Sequence, residues 1–68
     1  MYEYRIIRND RGRIIYRKKE MWKLLLLQYL NSYNLWSPNK QSAKTFYKRE
    51  DAVSALVVMK QKDNKKSD

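Results

Sequence analysis

The residues of this sequence best suited to chemistry with another molecule are its arginines. Five of the six fall within the first seventeen residues, in a segment that also contains three tyrosines. The Arg guanidinium is a planar fork that binds phosphate bidentately and stacks on bases, whereas Lys acts as a mobile point charge. Because the C-terminal segment contains lysines only, this sorting indicates a contact surface near the N-terminus and a general electrostatic tether near the C-terminus.

The net charge indicates the class of partner. Sixteen Lys and Arg against seven Asp and Glu give +9, and a field of this sign attracts polyanions. We therefore expect binding to the phosphate backbone of a nucleic acid, with RNA slightly favoured over DNA because unstacked bases can lie on Tyr and Arg. The predicted nucleic-acid-binding residues are Arg5, Arg8, Arg11, Arg13, Tyr16, Arg17, Lys18, Lys19, Lys44, Lys48 and Arg49.

The sequence contains no His and no Cys, which removes most catalytic chemistry. Without them there is no imidazole base, no thiol nucleophile, no disulfide and no ordinary zinc site. We therefore expect a protein that is not an enzyme and has no catalytic residues, no metal and no cofactor. The exception considered is a small His-free ribonuclease, in which cationic groups stabilise the pentavalent phosphate. Its candidate residues are Tyr16, Arg17, Lys44, Lys48 and Arg49.

Two patterns place the basic residues on elements of structure. Residues 2–8 and 13–18 are rich in Tyr and Ile and are separated by a turn containing Gly12, so they predict an antiparallel hairpin. One face of each strand is expected to pack on a core, and the other to mix arginines with isoleucine. A short third strand is expected over 43–47.

Two helices are predicted over residues 20–33 and 48–61. The sequence therefore predicts a small α+β domain of order ββαβα, with a hairpin, a third short strand and both helices packed on one face of the sheet. We expect a single basic domain over residues 1–61, followed by a disordered Lys-rich tail over 62–68.

The predicted helix over 20–33 is apolar around almost its whole circumference, and a 68-residue chain has little other material to cover it. A homo-oligomer is the expected consequence. The residues predicted for self-association or partner binding are Trp22, Leu24, Leu27, Leu30 and Trp36. For Trp36 a second role remains open, in which the indole packs back on the core.

An alternative function uses the same basic surface differently. A small phage-type inhibitor or adaptor would dock on a host protein, such as a nucleic-acid-handling enzyme or toxin, with aromatic anchors supplying the binding energy. The richness in Lys, Asn, Tyr and Ile is typical of short bacteriophage early proteins. With no signal-peptide pattern and no long apolar run, we expect a cytoplasmic protein, in a bacterial host if phage-encoded, with no membrane partner.

Overall fold

The computed structural model describes residues 2–66, which form a four-stranded antiparallel sheet and one long helix. The strands are β1 (Glu3–Asn9), β2 (Gly12–Met21), β3 (Leu24–Leu30) and β4 (Trp36–Ser37), and the helix is α1 (Arg49–Lys66). The strand order in the sheet is β1-β2-β3-β4. The α+β class is therefore confirmed, whereas the order ββαβα and the second helix are wrong.

The hairpin of β1 and β2 has a two-residue loop held by Asn9. Its side-chain Oδ1 accepts hydrogen bonds from the backbone N–H groups of Arg11 (2.9 Å) and Gly12 (3.0 Å). Gly12 has φ of 147°, and a Cβ there would lie 2.6 Å from the carbonyl oxygen of Phe46. Glycine is thus required both by the backbone angle and by the close approach of the 45–46 segment.

The segment predicted as a helix over 20–33 instead forms the end of β2, a tight turn and β3. Glu20 pairs with Leu25 and Met21 with Leu24, so Trp22 and Lys23 are the two loop residues. Two-residue hairpin loops usually carry Asn or Gly where φ is positive, but here Lys23 adopts φ of 61°. The sequence therefore gives no signal for the turn, and without a turn the run of leucines is also compatible with a helix.

The predicted third strand over 43–47 does not form a regular strand. Phe46 makes an isolated antiparallel bridge to Arg13, with backbone N···O distances of 2.8 and 2.7 Å, and Ala43 bridges Asn31. These contacts lie at the end of the sheet, where β3 has ended and β2 still needs a neighbour. The segment follows a short 3-10 turn, Lys40–Ser42, whose N-cap is Asn39.

The helix packs on one face of the sheet, as its spacing of apolar residues predicts. Glu50 and Asp51 lie in its first turn, where the helix dipole favours acids. Its buried residues Ala52 and Met59 join a core completed by the sheet and the 43–47 segment, with members Ile15, Leu30 and Phe46.

The helix is longer than predicted and continues to Lys66. Residues 62–66 of the expected disordered tail are therefore helical, and residues 67 and 68 lie outside the described residues. Among residues 2–66, no helix combines the length and the apolar composition needed to cross a membrane.

Candidate nucleic-acid interface

The strand register separates the arginines of the hairpin onto two faces. Ile6 pairs with Ile15 and Tyr4 with Arg17, so these positions share the face covered by α1. Arg5 pairs with Tyr16 and lies on the opposite face, which we call the outer face. The sequence predicts this alternation within each strand, but only the register shows which arginines face the helix.

Arg17 is used inside the molecule, which removes it from the candidate interface. Its Nε donates to Gln28 Oε1 at 2.8 Å, and a terminal nitrogen donates to Asp63 Oδ2 at 2.7 Å. The guanidinium carbon also lies 3.9 Å from the ring centroid of Tyr2 and 4.4 Å from that of Trp36. The Arg17 and Asp63 side chains are only 12% and 17% exposed. This is a structural ion pair and not a phosphate-binding group.

Tyr4 completes the same internal cluster, since its hydroxyl donates a hydrogen bond to Asp63 Oδ2. Burial raises the pKa of the Tyr4 hydroxyl to about 12, and the hydrogen bond and charge of Asp63 act in the same direction. The cluster joins β1, β2 and the last turns of α1.

A row of one arginine and two tyrosines crosses the outer face. Arg5 on β1 lies opposite Tyr16 on β2, and Tyr16 lies opposite Tyr29 on β3. The two tyrosine rings are 6.1 Å apart between centroids and inclined at 45°. Arg5 is exposed and both tyrosines are half-buried. Such a row presents a cation and aromatic surface on which bases can stack.

A shallow cleft of about 530 Å³ lies at the end of the sheet beside the β1–β2 turn. Its lining includes Arg11 from the turn and Lys40 from the 3-10 turn, with Ile14 and Thr45 among its apolar atoms. Both cationic residues are exposed, and Asp10 is the acid that shares the cleft. The cleft therefore offers two phosphate-binding cations near the aromatic row.

Further basic residues surround this end of the molecule. Arg8 pairs with Arg13, and the Arg13 side chain donates to the carbonyl oxygen of Tyr47 at 3.1 Å. Lys48 and Arg49 follow directly in the chain and are exposed. Lys44 is also exposed, with its Nζ 5.1 Å from the Phe46 ring centroid.

Two lysines of the predicted set lie toward the opposite end of β2. Lys18 forms an ion pair with Glu3 at 3.2 Å, and Lys19 Nζ lies 5.6 Å from the Tyr2 ring centroid. Glu3 also accepts a 2.6 Å hydrogen bond from Arg5. The bonds from Arg5 and then from Lys18 lower the pKa of the Glu3 carboxyl below its usual value.

The five residues considered for a His-free ribonuclease are not brought together. Tyr16 lies on the outer face, whereas the neighbouring Arg17 points to the helix and is paired with Asp63. Lys48 and Arg49 are at the start of α1, and Asp63 marks its other end. Within the described part of the chain, no group of three or more acidic side chains is placed to hold a metal ion.

The residues predicted for partner binding divide into buried and exposed groups. Leu30 is buried in the core, and Trp36 is half-buried and packs against it. Trp22 and Leu24, by contrast, are 86% and 67% exposed at the tip of the β2–β3 hairpin. Leu27 is half-buried on β3.

Sequence reasoning missed Tyr29 and Lys40 as members of the candidate interface. The sequence predicts a helix at Tyr29, and a helix would not align this residue with Tyr16 across two strands. Lys40 lies in the connector between β4 and α1, where no periodicity assigns a face. Comparison with protein-family models, with curated proteins and with solved structures finds no match to this chain.

Proposed function

We propose that this protein is a non-catalytic nucleic-acid-binding protein that holds single strands, RNA slightly in preference to DNA, on its outer face. The observation that carries the proposal is the Arg5–Tyr16–Tyr29 row leading toward the cleft bordered by Arg11 and Lys40. Aromatic rings supply sequence-tolerant stacking, and the cations neutralise phosphates along the strand.

The distribution of charge supports the end of the sheet beside the cleft, although Arg8 and Arg13 lie by register on the face covered by α1. Around the β1–β2 turn and the start of α1, the basic residues outnumber the acidic ones. They are Arg8, Arg11, Arg13, Lys40, Lys44, Lys48 and Arg49, against Asp10, Glu50 and Asp51, which leaves an excess of four positive charges. Of the residues predicted from the sequence, Arg17 is engaged internally and Lys18 is paired with Glu3, so these two do not add to the excess.

A salt titration tests the proposal. Fluorescence anisotropy with a labelled oligouridine should show a binding constant that falls steeply with salt. In the Arg11→Ala/Lys40→Ala double variant, the log–log slope should decrease by about 1.4, because each phosphate contact contributes about 0.7 on a single strand. Affinity should fall for all sequences alike.

The matched control is Lys62→Ala/Lys65→Ala, which removes the same charge from exposed positions on α1. It should leave the slope nearly unchanged. Equal losses in both double variants would show that binding depends only on net charge and not on the cleft. Tight binding that is indifferent to salt would contradict the proposal altogether.

A phage-type inhibitor or adaptor is the second candidate function, and the exposed hairpin tip favours it. Trp22 is 86% exposed with Lys23 Nζ 4.7 Å from its ring centroid, next to Leu24 and Leu25. Exposed aromatic side chains of this kind commonly anchor protein interfaces.

A pull-down after nuclease treatment separates the two functions. Recovery of one stoichiometric host protein, lost in Trp22→Ala, supports the inhibitor. Loss of every partner on nuclease treatment, with RNA binding intact in Trp22→Ala, supports the nucleic-acid-binding protein.

A further inference from the structure

The outer edge of β3 is open over most of its length. Strand β4 pairs only with Tyr29 and Leu30, so among residues 2–66 no second strand lies beside residues 24–28 on this edge. These residues therefore present one row of backbone N–H and C=O groups away from β2. Such a row is a template for pairing with another strand.

The two edges of the sheet differ in charge. Edge strand β1 contains Glu3, Arg5 and Arg8, and charged side chains of this kind discourage edge-to-edge association. Strand β3 has the sequence LLLLQYL and contains no charged residue. In a chain of net charge +9, two copies that meet along β3 bring no charged side chains of that strand together.

The open edge is also apolar and exposed. Leu24, Leu25 and Leu26 are 67%, 58% and 42% exposed, although their backbones are fixed by pairing with β2. Burying leucine surface of this extent stabilises an association by the hydrophobic effect. Backbone pairing and side-chain burial thus favour the same partner, an apolar strand.

We propose that the β3 edge binds the β3 edge of a second copy of this chain, antiparallel and about a two-fold axis near Leu26. This arrangement places Leu26 opposite Leu26 and Leu25 opposite Leu27 across the interface. The interface is isologous and closes at two copies. Strand β4 limits the overlap, because it occupies the edge from Tyr29 onward.

The proposed dimer strengthens the nucleic-acid binding proposed above, and this consequence rests on that proposed function. A two-fold axis perpendicular to the sheet continues the sheet from one copy to the next and keeps both outer faces on the same side. Two Arg5–Tyr16–Tyr29 rows then form one surface, while both copies of α1 lie on the other side. Two linked sites raise the avidity for a long polyanion well above that of one subunit.

Light scattering on the nuclease-treated chain tests the pairing with a charge placed on the edge. We expect a monomer–dimer equilibrium that shifts toward dimer between 50 and 500 mM NaCl, since salt screens the like charges. Leu26→Lys should raise the dimer dissociation constant about tenfold or more, because it puts two like charges opposite each other. The matched control Val58→Lys changes an equally apolar, 55% exposed residue on α1 and should leave the constant unchanged.

A cysteine cross-link gives a second, independent measurement. Since the chain has no Cys, Leu26→Cys introduces a single thiol at the proposed axis. Directly opposite residues in an antiparallel pair lie about 4.5–5.5 Å apart between Cα atoms, within the range of disulfides. Mild oxidation should convert most of Leu26→Cys to a disulfide-linked dimer and leave Val58→Cys mainly monomeric. Circular dichroism checks that each variant is folded.

Three outcomes would overturn the inference. They are a monomer at all salt and protein concentrations, equal dissociation constants for Leu26→Lys and Val58→Lys, and an assembly that dissolves in high salt, which would indicate copies bridged by residual RNA. Each can occur while the RNA salt slope still depends on Arg11 and Lys40, so failure of the dimer is distinguishable from failure of the proposed function.

Discussion

The guanidinium groups of Arg5 and Arg17 are chemically identical, yet the structure uses them in different ways. Arg17 contacts Gln28, Asp63 and two aromatic rings beneath α1, and its positive charge is compensated within the fold. Arg5 is exposed on the outer face with Glu3 as its partner. Exposed pairs of this kind exchange partners at little cost, so Arg5 is the arginine able to contact a phosphate.

Tyr4 gives a pH-dependent prediction at this scale. Because its folded pKa of about 12 lies above the usual 10.0, the neutral hydroxyl stabilises the fold fully below pH 10, and this contribution is lost as pH rises toward 12. Tyr4→Phe should lower the free energy of unfolding by about 1–2 kcal/mol at pH 8.

The difference between wild type and Tyr4→Phe should shrink between pH 10 and 12. Urea unfolding at pH 8, 10 and 11.5 measures it, with Tyr47→Phe as the control because Tyr47 is exposed. A difference that stays constant across this range would show that folding does not raise the pKa of the Tyr4 hydroxyl.

Among the elements, α1 does more than cover the sheet. Ala52 and Met59 contribute to the core, and the last turns supply Asp63 to the ion pair with Arg17. The helix must continue beyond Gln61 because Asp63, one turn after Met59, is the residue that pairs with Arg17. The C-terminal lysines therefore follow or flank a structural residue and are not merely a tail.

Ending the chain after Gln61 tests this role of α1. The truncation leaves Arg17 without its carboxylate, and removing one partner of a largely buried pair is strongly destabilising. We expect the free energy of unfolding to fall by about 2–3 kcal/mol, after allowing for the partial exposure of the pair. Chemical denaturation measures it, and a chain ending after Lys66, which keeps Asp63, is the control. Equal stability of the two chains would refute a structural role for Asp63.

Across the whole molecule, charge and apolar surface lie at opposite ends. The β1–β2 turn, the cleft and the start of α1 carry the basic excess, whereas the β2–β3 hairpin ends in Met21, Trp22 and Leu24. This separation follows from the meander, since successive hairpin turns lie at opposite ends of an antiparallel sheet. One end is suited to polyanions and the other to apolar contact.

The net charge of +9 gives a prediction for the molecule as a whole. Self-repulsion of the positive charges destabilises the compact state, and salt screens it. The unfolding temperature should therefore rise by about 2–5 °C between 20 and 500 mM NaCl. Calorimetry on Leu26→Lys, which we expect to be monomeric, separates this effect from dimer formation. A fall in the unfolding temperature would mean that the ion pairs of Glu3 and Asp63 outweigh the repulsion.

The first hairpin, the helix near the C-terminus and the sorting of arginines from lysines follow from the sequence alone. Alternating residues around an Asn-Asp-x-Gly turn predict the hairpin, and apolar residues at helical spacing after Lys48 predict α1. These signals are local, so they do not depend on what packs against them. The α+β class follows for the same reason.

Only the tertiary structure determines the secondary structure of residues 20–33, 43–47 and 62–66. The four leucines of residues 24–27 fit a helix or a strand equally well, and pairing with β2 makes this segment a strand. In the same way, an arginine alternates to one face or the other by a local rule, but the register and the position of α1 determine which face is covered. Sequence therefore specified that arginines would be presented near the N-terminus, and the fold decided that Arg5 and Arg11 remain at the surface while Arg17 is enclosed.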